Sequence, residues 1–301
     1  MNAIEISTIR KQFGSVVALD NITLQVREGE LFGLLGPDGA GETTLMRILT
    51  TLMLPDSGYA SVNGWDVQRD YRSIRKNVGY MPGRFSLYQD LSVEENIRFF
   101  ATLFGTTLEE NYDMIRDIYS QIEPFRTRRA GKLSGGMKQK LALSCALVHQ
   151  PKVLFLDEPT TGVDPVSRKE FWDILSRLKD KGITMFVSTP YMDEASRCDR
   201  VALIEKGRIL DVDQPDRIVA RFPYPLLAVR TQGDTYRLLQ DLRQQPWAHS
   251  VFPFGEFIHV ALSAPVSPAQ VRALLLEKGY QNPEAMETTP GIEDCFMELM
   301  H

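Results

Sequence analysis

The sequence feature that most constrains the fold is residues 31–45, where a short apolar run breaks into glycines and then enters a helical pattern. This order predicts a strand, a phosphate-binding loop and a helix. Gly36 and Gly41, followed by Thr43 and Thr44, have P-loop spacing, in which small residues let backbone N–H groups approach phosphate oxygens at a helix N-terminus. The stretch therefore predicts a nucleotide site in an α/β protein.

Position 42 departs from the P-loop pattern. Such a loop carries a lysine there, which reaches the β- and γ-phosphates, but this sequence has Glu42. Two unit charges about 4 Å apart interact by roughly 4 kcal/mol at an effective dielectric near 20, so the reversal is expected to weaken nucleotide binding about a thousandfold. We expect the Glu42 side chain to swing into solvent and the fold to persist. From the loop alone, a glycine-rich turn without a ligand is the alternative.

Composition limits the class of protein. At 301 residues, 43% of them hydrophobic, the chain is long enough for one large and one small domain. A formal charge of -5 and the lack of a basic stripe argue against a nucleic-acid partner. Three scattered cysteines favour a reducing compartment. Because no secretory signal and no apolar run near 18 residues occurs, we expect any membrane-spanning part to belong to another chain.

Two segments around the loop have distinct patterns. Residues 4–9 and 22–26 alternate between apolar and polar side chains and predict a small antiparallel sheet. Phe13, ahead of the loop, could stack on an adenine ring or could equally be a core residue. From about 90 to 150 the pattern is helical, with a helix cap and first turn at residues 91–96, which predicts an inserted helical subdomain.

Further motifs follow this subdomain. Ser134 can cap a helix at the sequence Leu-Ser-Gly-Gly-Met, residues 133–137. The apolar run 153–156 predicts a strand buried in a parallel sheet, and it ends in Asp157 and Glu158, at the end of the strand where ligands bind. These acids could instead merely cap the strand. After another strand, Thr189 is predicted to be the N-cap of a helix whose first residue is Pro190.

The chain is predicted to contain two domains, residues 1–220 and 225–301, separated by a segment with two prolines. In the second, the order β-α-β-β-α-β suggests a small α+β, ferredoxin-like module. It contains no recognisable catalytic constellation.

The chain resembles the ATP-binding subunit of an ABC transporter, because it contains four motifs in the same order. These are the P-loop frame, residues 133–137, the strand ending in Asp157 and Glu158, and residues 162–165. The resemblance covers residues 1 to about 220, and the tail is similar to the small C-terminal domain of drug-export members. It implies a P-loop NTPase core of the ABC type, an antiparallel β subdomain, the inserted helical subdomain and the ferredoxin-like domain.

The resemblance also implies roles for individual residues. Mg²⁺ would be held by Thr43 and Asp157, and Glu158 would polarise the water that attacks ATP. Two such subunits would sandwich ATP head to tail, so that the signature of one contacts the γ-phosphate held by the other. The phosphate-binding residues would be Gly36, Pro37, Asp38, Gly39, Ala40, Gly41, Thr43 and Thr44, and the signature would be Leu133, Ser134, Gly135, Gly136 and Met137.

Three positions depart from the family pattern. Besides Glu42, Gly83 stands where the family has a glutamine that contacts Mg²⁺ and the attacking water, and Pro190 stands where it has a histidine that reads the γ-phosphate. Glycine has no side chain and proline has no imidazole, so neither can do that chemistry. We expect weak binding of ATP and Mg²⁺ and severely impaired hydrolysis. An active variant with compensated chemistry is the alternative.

The resemblance further implies partners and a location. It implies a separate membrane-spanning permease, gripped by the surface near residues 85–96, and a second nucleotide-binding subunit, identical or not. The chain would then lie in the cytoplasm, peripheral to the inner face of the membrane. A non-hydrolysing regulatory partner, which completes the ATP site of another subunit, is the second reading. A soluble ABC-type protein that acts on nucleic acid is disfavoured, since a basic face is lacking.

Overall fold

The structure is a computed structural model that describes residues 1–300. It contains two compact units, Met1–Pro215 and a second that begins at Asp216. Within residues 1–300 we find no helix with the length and apolarity needed to cross a membrane.

The first unit alternates strands and helices. Its elements are β1 (Asn2–Phe13), β2 (Val16–Arg27), β3 (Leu31–Leu35), α1 (Glu42–Leu49), β4 (Ser57–Val62), β5 (Trp65–Asp66), α2 (Tyr71–Asn77), β6 (Val78–Met81), α3 (Val93–Leu103), α4 (Tyr112–Tyr119), α5 (Gly135–Leu147), β7 (Val153–Asp157), α6 (Pro165–Asp180), β8 (Thr184–Thr189), β9 (Arg200–Glu205) and β10 (Arg208–Asp213). Short 3₁₀ helices span Glu123–Phe125, Ala130–Lys132 and Met192–Arg197, and α7 (Pro215–Ala220) follows β10.

Two sheets organise this unit. The larger has the order β10-β9-β3-β8-β7-β6, in which all neighbours except β10 and β9 are parallel. Every residue of β3, β7 and β8 is buried, as expected for parallel strands covered on both faces. The smaller sheet is antiparallel, with the order β2-β1-β4-β5. This arrangement confirms the predicted P-loop core and antiparallel sheet.

The inserted helical segment follows its sequence signals. Helix α3 begins after Ser92, whose hydroxyl accepts from the Glu95 N–H at 3.2 Å while the Glu95 carboxylate accepts from the Ser92 N–H at 2.7 Å. This reciprocal capping box is the start predicted for residues 91–96. Helix α2 is a feature that the sequence did not suggest, because only Ile74 of its seven residues is buried.

The second unit contains β11 (Leu226–Gln232), α8 (Thr235–Arg243), β12 (Ala248–Phe254), β13 (Phe257–Leu262), α9 (Pro268–Glu277), β14 (Gln281–Thr288) and α10 (Ile292–Leu299). Its four strands form an antiparallel sheet with the order β12-β13-β11-β14. This is the strand order of a ferredoxin-like fold, as the β-α-β-β-α-β pattern predicted. Helices α8 and α9 bury Leu238, Leu242 and Leu275 in one apolar core with the sheet.

Candidate functional site

The loop between β3 and α1 encloses a small cavity. Its volume is about 330 Å³. A Cβ at Gly36 would lie 2.5 Å from the Ile204 carbonyl oxygen, and Gly41 has a φ of +116°, so both positions require glycine. The cavity is lined by Ala18, Gly36, Pro37, Asp38, Gly39, Ala40, Gly41, Glu42, Thr43, Thr44, Glu158 and Pro190. The predicted phosphate-binding residues are therefore brought together around one space.

Glu42 does not point into solvent, which corrects the expectation from the sequence. Glu42, the first residue of α1, is only 9% exposed and lines the cavity. Burial, followed by the charges of Glu158, Asp157 and Asp38, raises the pKa of Glu42 to about 9. The carboxyl group is thus neutral at pH 7. The cavity lacks a lysine, but at neutral pH it does not contain the full negative charge that the sequence implied.

Thr43 and Asp157 meet at the mouth of the loop. The Thr43 hydroxyl donates to Asp157 Oδ1 at 3.0 Å, and the Ser188 hydroxyl donates to the same oxygen at 2.9 Å. A hydroxyl beside a carboxylate fits Mg²⁺, which takes few protein ligands when phosphates supply the others. Within the described chain, no group of three or more His, Cys, Asp or Glu residues could hold a metal ion.

Glu158 follows the strand end in an unusual backbone conformation. Its φ is +49°, in the left-handed region where non-glycine residues are uncommon. The conformation is held because the Glu158 N–H donates to the Ser188 carbonyl at 3.2 Å and to its hydroxyl at 3.1 Å. The carboxylate lines the cavity and accepts from the Thr161 hydroxyl at 3.1 Å. Glu158 is therefore placed beside the space in which a phosphate would sit.

Two of the departing positions lie at the same end of the sheet. Gly83 follows β6, and a Cβ built there would lie 3.1 Å from the Asp157 carbonyl oxygen. Pro190 follows β8 and lines the cavity. The sequence predicted Thr189 as the N-cap of a helix, but Thr189 is the last residue of β8. The following helix is a short 3₁₀ helix that begins at Met192 after Tyr191.

A buried carboxylate holds the end of β8. Glu194 is 3% exposed and accepts hydrogen bonds from the Thr189 hydroxyl at 2.5 Å and from the Thr160 hydroxyl at 2.9 Å. Arg168 of α6 pairs with Glu194 at 3.1 Å and stacks on the Tyr191 ring at 4.0 Å. The Thr189 hydroxyl also accepts from the Tyr191 N–H at 3.1 Å, so it makes a cap-like contact although the helix begins only at Met192.

The signature residues lie at the start of α5. The Ser134 hydroxyl accepts from the Met137 N–H at 3.4 Å, as predicted for a cap, and Ser134 and Gly135 are exposed. Gly136 is enclosed, since a Cβ there would lie 2.9 Å from the Ser167 hydroxyl. Leu133 is buried and anchors the segment. Residues 133–137 therefore expose a serine and a glycine to solvent, between a buried leucine and an enclosed glycine.

Phe13 lies at the end of β1 and is 46% exposed, with the Lys11 ammonium 5.6 Å from its ring centre. It is not a core residue, and it is absent from the lining of the cavity. Its role in stacking on adenine stays a prediction.

Two residues of the site were missed from the sequence. Ser188 lies opposite Asp157 in the parallel register of β7 and β8, a signal available once both strands are predicted. The Tyr80 hydroxyl lies 3.5 Å from Asp157 Oδ2, and burial together with the Asp157 charge raises the pKa of Tyr80 to about 12. Tyr80 therefore stays neutral and can donate towards Asp157.

Comparisons with known proteins identify relatives of this chain. Residues 19–161 match the family model described as ABC transporter. The chain is 38% identical over 278 residues to the probable multidrug ABC transporter ATP-binding protein YbhF of Escherichia coli, covering 91% of this chain but only 48% of the relative. It is 34% identical to the Nod factor export ATP-binding protein I of a Rhizobium species, over 99% of this chain and 96% of the relative. A solved structure titled as the ATP-binding subunit of an ABC transporter superposes with a TM-score of 0.67 at 27% identity, over 73% of this chain and 93% of that one.

Proposed function

Because the chain belongs to the family of ABC transporter ATP-binding subunits, we propose that it serves a membrane exporter, with its own ATP site severely weakened. The observation that carries this proposal is a cavity lined by Thr43 and Glu158, with Asp157 bonded to Thr43, in which Glu42 stands where the loop would have its lysine. Export is proposed because the similar proteins are named for multidrug transport and Nod factor export.

We expect ATP binding to be weakened because Glu42 cannot attract phosphate as a lysine would. A lysine would attract phosphate by roughly 4 kcal/mol at 4 Å and an effective dielectric near 20. A neutral carboxyl group gives none of this attraction, although it can donate one hydrogen bond to a phosphate oxygen. We therefore expect Mg-ATP to bind with roughly millimolar affinity, through the loop N–H groups, the Thr43 hydroxyl and Asp157.

Titration with Mg-ATP tests this step. The wild-type chain and Glu42→Lys are compared at pH 7, and Lys is expected to tighten binding about a hundredfold or more. At pH 10 the wild-type chain should bind still more weakly, because Glu42 is then ionised, whereas Glu42→Lys should change much less. Micromolar binding by the wild-type chain at pH 7 would contradict the proposal.

A groove in the first unit supports a permease as partner. It has a volume of about 200 Å³ and lies between the parallel core and the helical segment. Leu52 on its rim is 59% exposed, and Phe104 stacks on the His149 ring with 3.7 Å between ring centres. The His149 Nε2–H donates to the Val78 carbonyl at 3.1 Å, which leaves Nδ1 buried and unpartnered. A cytoplasmic segment of a permease with an apolar side chain and a donor would fit here.

Co-purification from detergent-solubilised membranes tests the partner. The tagged chain is expected to retain a membrane-spanning protein at the inner face of the membrane, and Leu52→Asp should lose it. Leu276→Asp is a matched control, because Leu276 is also 59% exposed but lies on α9 of the second unit. Equal retention by both variants would place the partner elsewhere.

The second candidate function is a regulatory, non-hydrolysing subunit. It is favoured by the contrast between the altered cavity and the intact signature, whose Ser134 and Gly135 are exposed. The chain would then contribute its signature to the ATP site of another subunit. Measurement of ATP turnover in a mixed assembly separates the two candidates.

A further inference from the structure

The second unit contains a cavity at one end of its sheet. Its volume is about 740 Å³. Sites for drug-sized molecules typically have volumes of about 300–1,000 Å³. The start of β11, the ends of β13 and β14, and the segment that leads from β13 into α9 all contribute lining residues. The cavity is therefore large enough for a small organic molecule, and it is built entirely from the second unit.

Much of the lining is apolar. Leu227 and Leu262 line the cavity and also belong to the apolar core of the unit, against which Val266 packs. Ala264 and Pro265 contribute further apolar surface from the segment after β13. Removal of such surface from water is favourable, so a ligand with an apolar body would be stabilised here.

A single charged side chain lies on the wall. Among the residues of the described chain that line the cavity, Glu287 is the one acid, and none is lysine, arginine or histidine. Glu287 is exposed and forms no ion pair within 4.0 Å in residues 1–300. The Arg272 guanidinium of α9 donates to the Ala285 carbonyl at 2.8 Å, so it is held by the backbone rather than by Glu287. The charge of the cavity therefore favours a cation.

The frame of the cavity is formed in the absence of a ligand. The Ser267 hydroxyl accepts from the Gln270 N–H at 3.3 Å, and the Gln270 side-chain oxygen accepts from the Ser267 N–H at 2.8 Å. This capping box fixes the start of α9. Strand β11 pairs with β13 on one side and with β14 on the other. Because these walls are already ordered, little conformational entropy is lost when a ligand enters.

We propose that this cavity binds an apolar organic cation, whose body packs on Leu227 and Leu262 and whose charge faces Glu287. An organic anion would meet the same carboxylate without any base on the wall to attract it. A metal ion would leave the apolar surface uncovered, and residues 1–300 contain no group of three or more His, Cys, Asp or Glu residues that could hold one. The inference goes beyond the proposed function, because it makes the second unit a ligand-binding module.

Calorimetric titration of the whole chain with two probes tests the proposal. Tetraphenylphosphonium and tetraphenylborate have the same shape and opposite charges. We expect saturable binding of the phosphonium, at least ~10-fold tighter than that of the borate, and about 5-fold weaker binding of the phosphonium by Glu287→Gln. Ala264→Arg should abolish binding of the phosphonium, because it places a base in the cavity from an exposed position.

Two control variants repeat these changes outside the lining. Glu277→Gln removes an exposed acid at the end of α9, and Ala273→Arg adds a base on the exposed surface of the same helix. Both should bind the phosphonium as the wild type does, and thermal melting checks that every variant is folded.

Three results would overturn the proposal: no saturable binding of the phosphonium, equal binding of the borate, or binding that Ala264→Arg leaves unchanged. Sedimentation velocity adds a fourth, since self-association of the wild type that Ala264→Arg abolishes would assign the cavity to a second copy. Mg-ATP binding and permease retention, which test the proposed function, should be the same in all of these variants.

Discussion

Burial leaves the Glu42 carboxyl group poorly solvated, and three other acids oppose its ionisation. The folded chain therefore binds a proton at Glu42 up to a pH of about 9, whereas an unfolded chain releases it near 4.5, the ordinary pKa of a glutamate. Between these two values folding takes up a proton, so stability falls as the pH rises. One residue thus links the altered chemistry of the loop to the stability of the fold.

Replacing Glu42 by glutamine should remove this dependence. The amide keeps the shape of the protonated acid and cannot ionise, so Glu42→Gln is expected to raise the free energy of unfolding by about 2 kcal/mol at pH 8 and to change it little at pH 4.5. Urea unfolding at both pH values measures the difference. Glu28→Gln is the control, because Glu28 is exposed and is not among the acids that shift the pKa of Glu42, so it should show no such gap. An equal effect of Glu42→Gln at both pH values would mean that Glu42 is ionised in the fold.

At the scale of elements, the ends of helices are fixed by single polar side chains, and α10 gives the clearest case. His259 on β13 lies 2.7 Å from Asp294 Oδ1, and both residues are buried. The other Asp294 oxygen accepts from the Gly291 N–H at 2.8 Å and so closes the first turn of α10. The Phe254 ring stacks on His259, with 4.1 Å between ring centres. One carboxylate therefore joins the helix to the sheet.

Asp294→Ala should release this helix. The substitution leaves a buried His259 nitrogen and the Gly291 N–H without their partner, so a loss of about 2 kcal/mol in the free energy of unfolding is expected. Hydrogen exchange should show faster opening of α10 than of β13. Glu277→Ala, at an exposed position that ends α9, is the control and should change stability by less than about 0.5 kcal/mol. Unchanged exchange in α10 would show that apolar packing alone holds it.

The same elements show what sequence reasoning could and could not supply. The buried strands β7 and β8 and the capped helix α3 were predictable, because apolar runs and capping boxes are local signals. The 3₁₀ helix after β8 was not, since Thr189 extends the strand and donates to Glu194, a contact that only the folded chain creates. The sequence showed that position 42 carries an acid in place of a lysine. It could not show that the Glu42 side chain is buried, because that burial depends on Gly36 and Glu158 around it.

At the scale of the whole molecule, the three departures belong to one site although they lie far apart in sequence. Glu42, Gly83 and Pro190 follow β3, β6 and β8, strands of a single parallel sheet that all end at the edge where the cavity opens. A parallel sheet brings such strand ends together. Restoring the family residue at only one of these positions should therefore restore little ATP turnover.

The triple variant Glu42→Lys, Gly83→Gln, Pro190→His tests this coupling. The wild-type chain should hydrolyse ATP at or near background, because one preorganised electrostatic contact is typically worth about 10² to 10³ in rate and three positions are affected. The triple variant should exceed every single variant, and adding Glu158→Gln should abolish the gain. A Cβ at Gly83 would lie 3.1 Å from the Asp157 carbonyl, so a glutamine fits after a small shift. Ordinary turnover by the wild-type chain, lost in Glu158→Gln, would contradict the prediction.

The final prediction concerns what the chain contributes to another subunit. Glu42 and Pro190 line the chain's own cavity and Gly83 lies beside Asp157, whereas Ser134 and Gly135 are exposed at the start of α5 and free to contact a facing molecule. In a mixed assembly with a competent homologous subunit, we expect one working ATP site, completed by this chain's signature. Ser134→Arg should silence that site, because a long cationic side chain would occupy the space of the γ-phosphate. Ser196→Arg, at an exposed serine in the 3₁₀ helix after Pro190, is the control and should leave turnover unchanged. A mixed assembly that turns over ATP equally well with Ser134→Arg would exclude the signature from the working site and leave this chain as a scaffold.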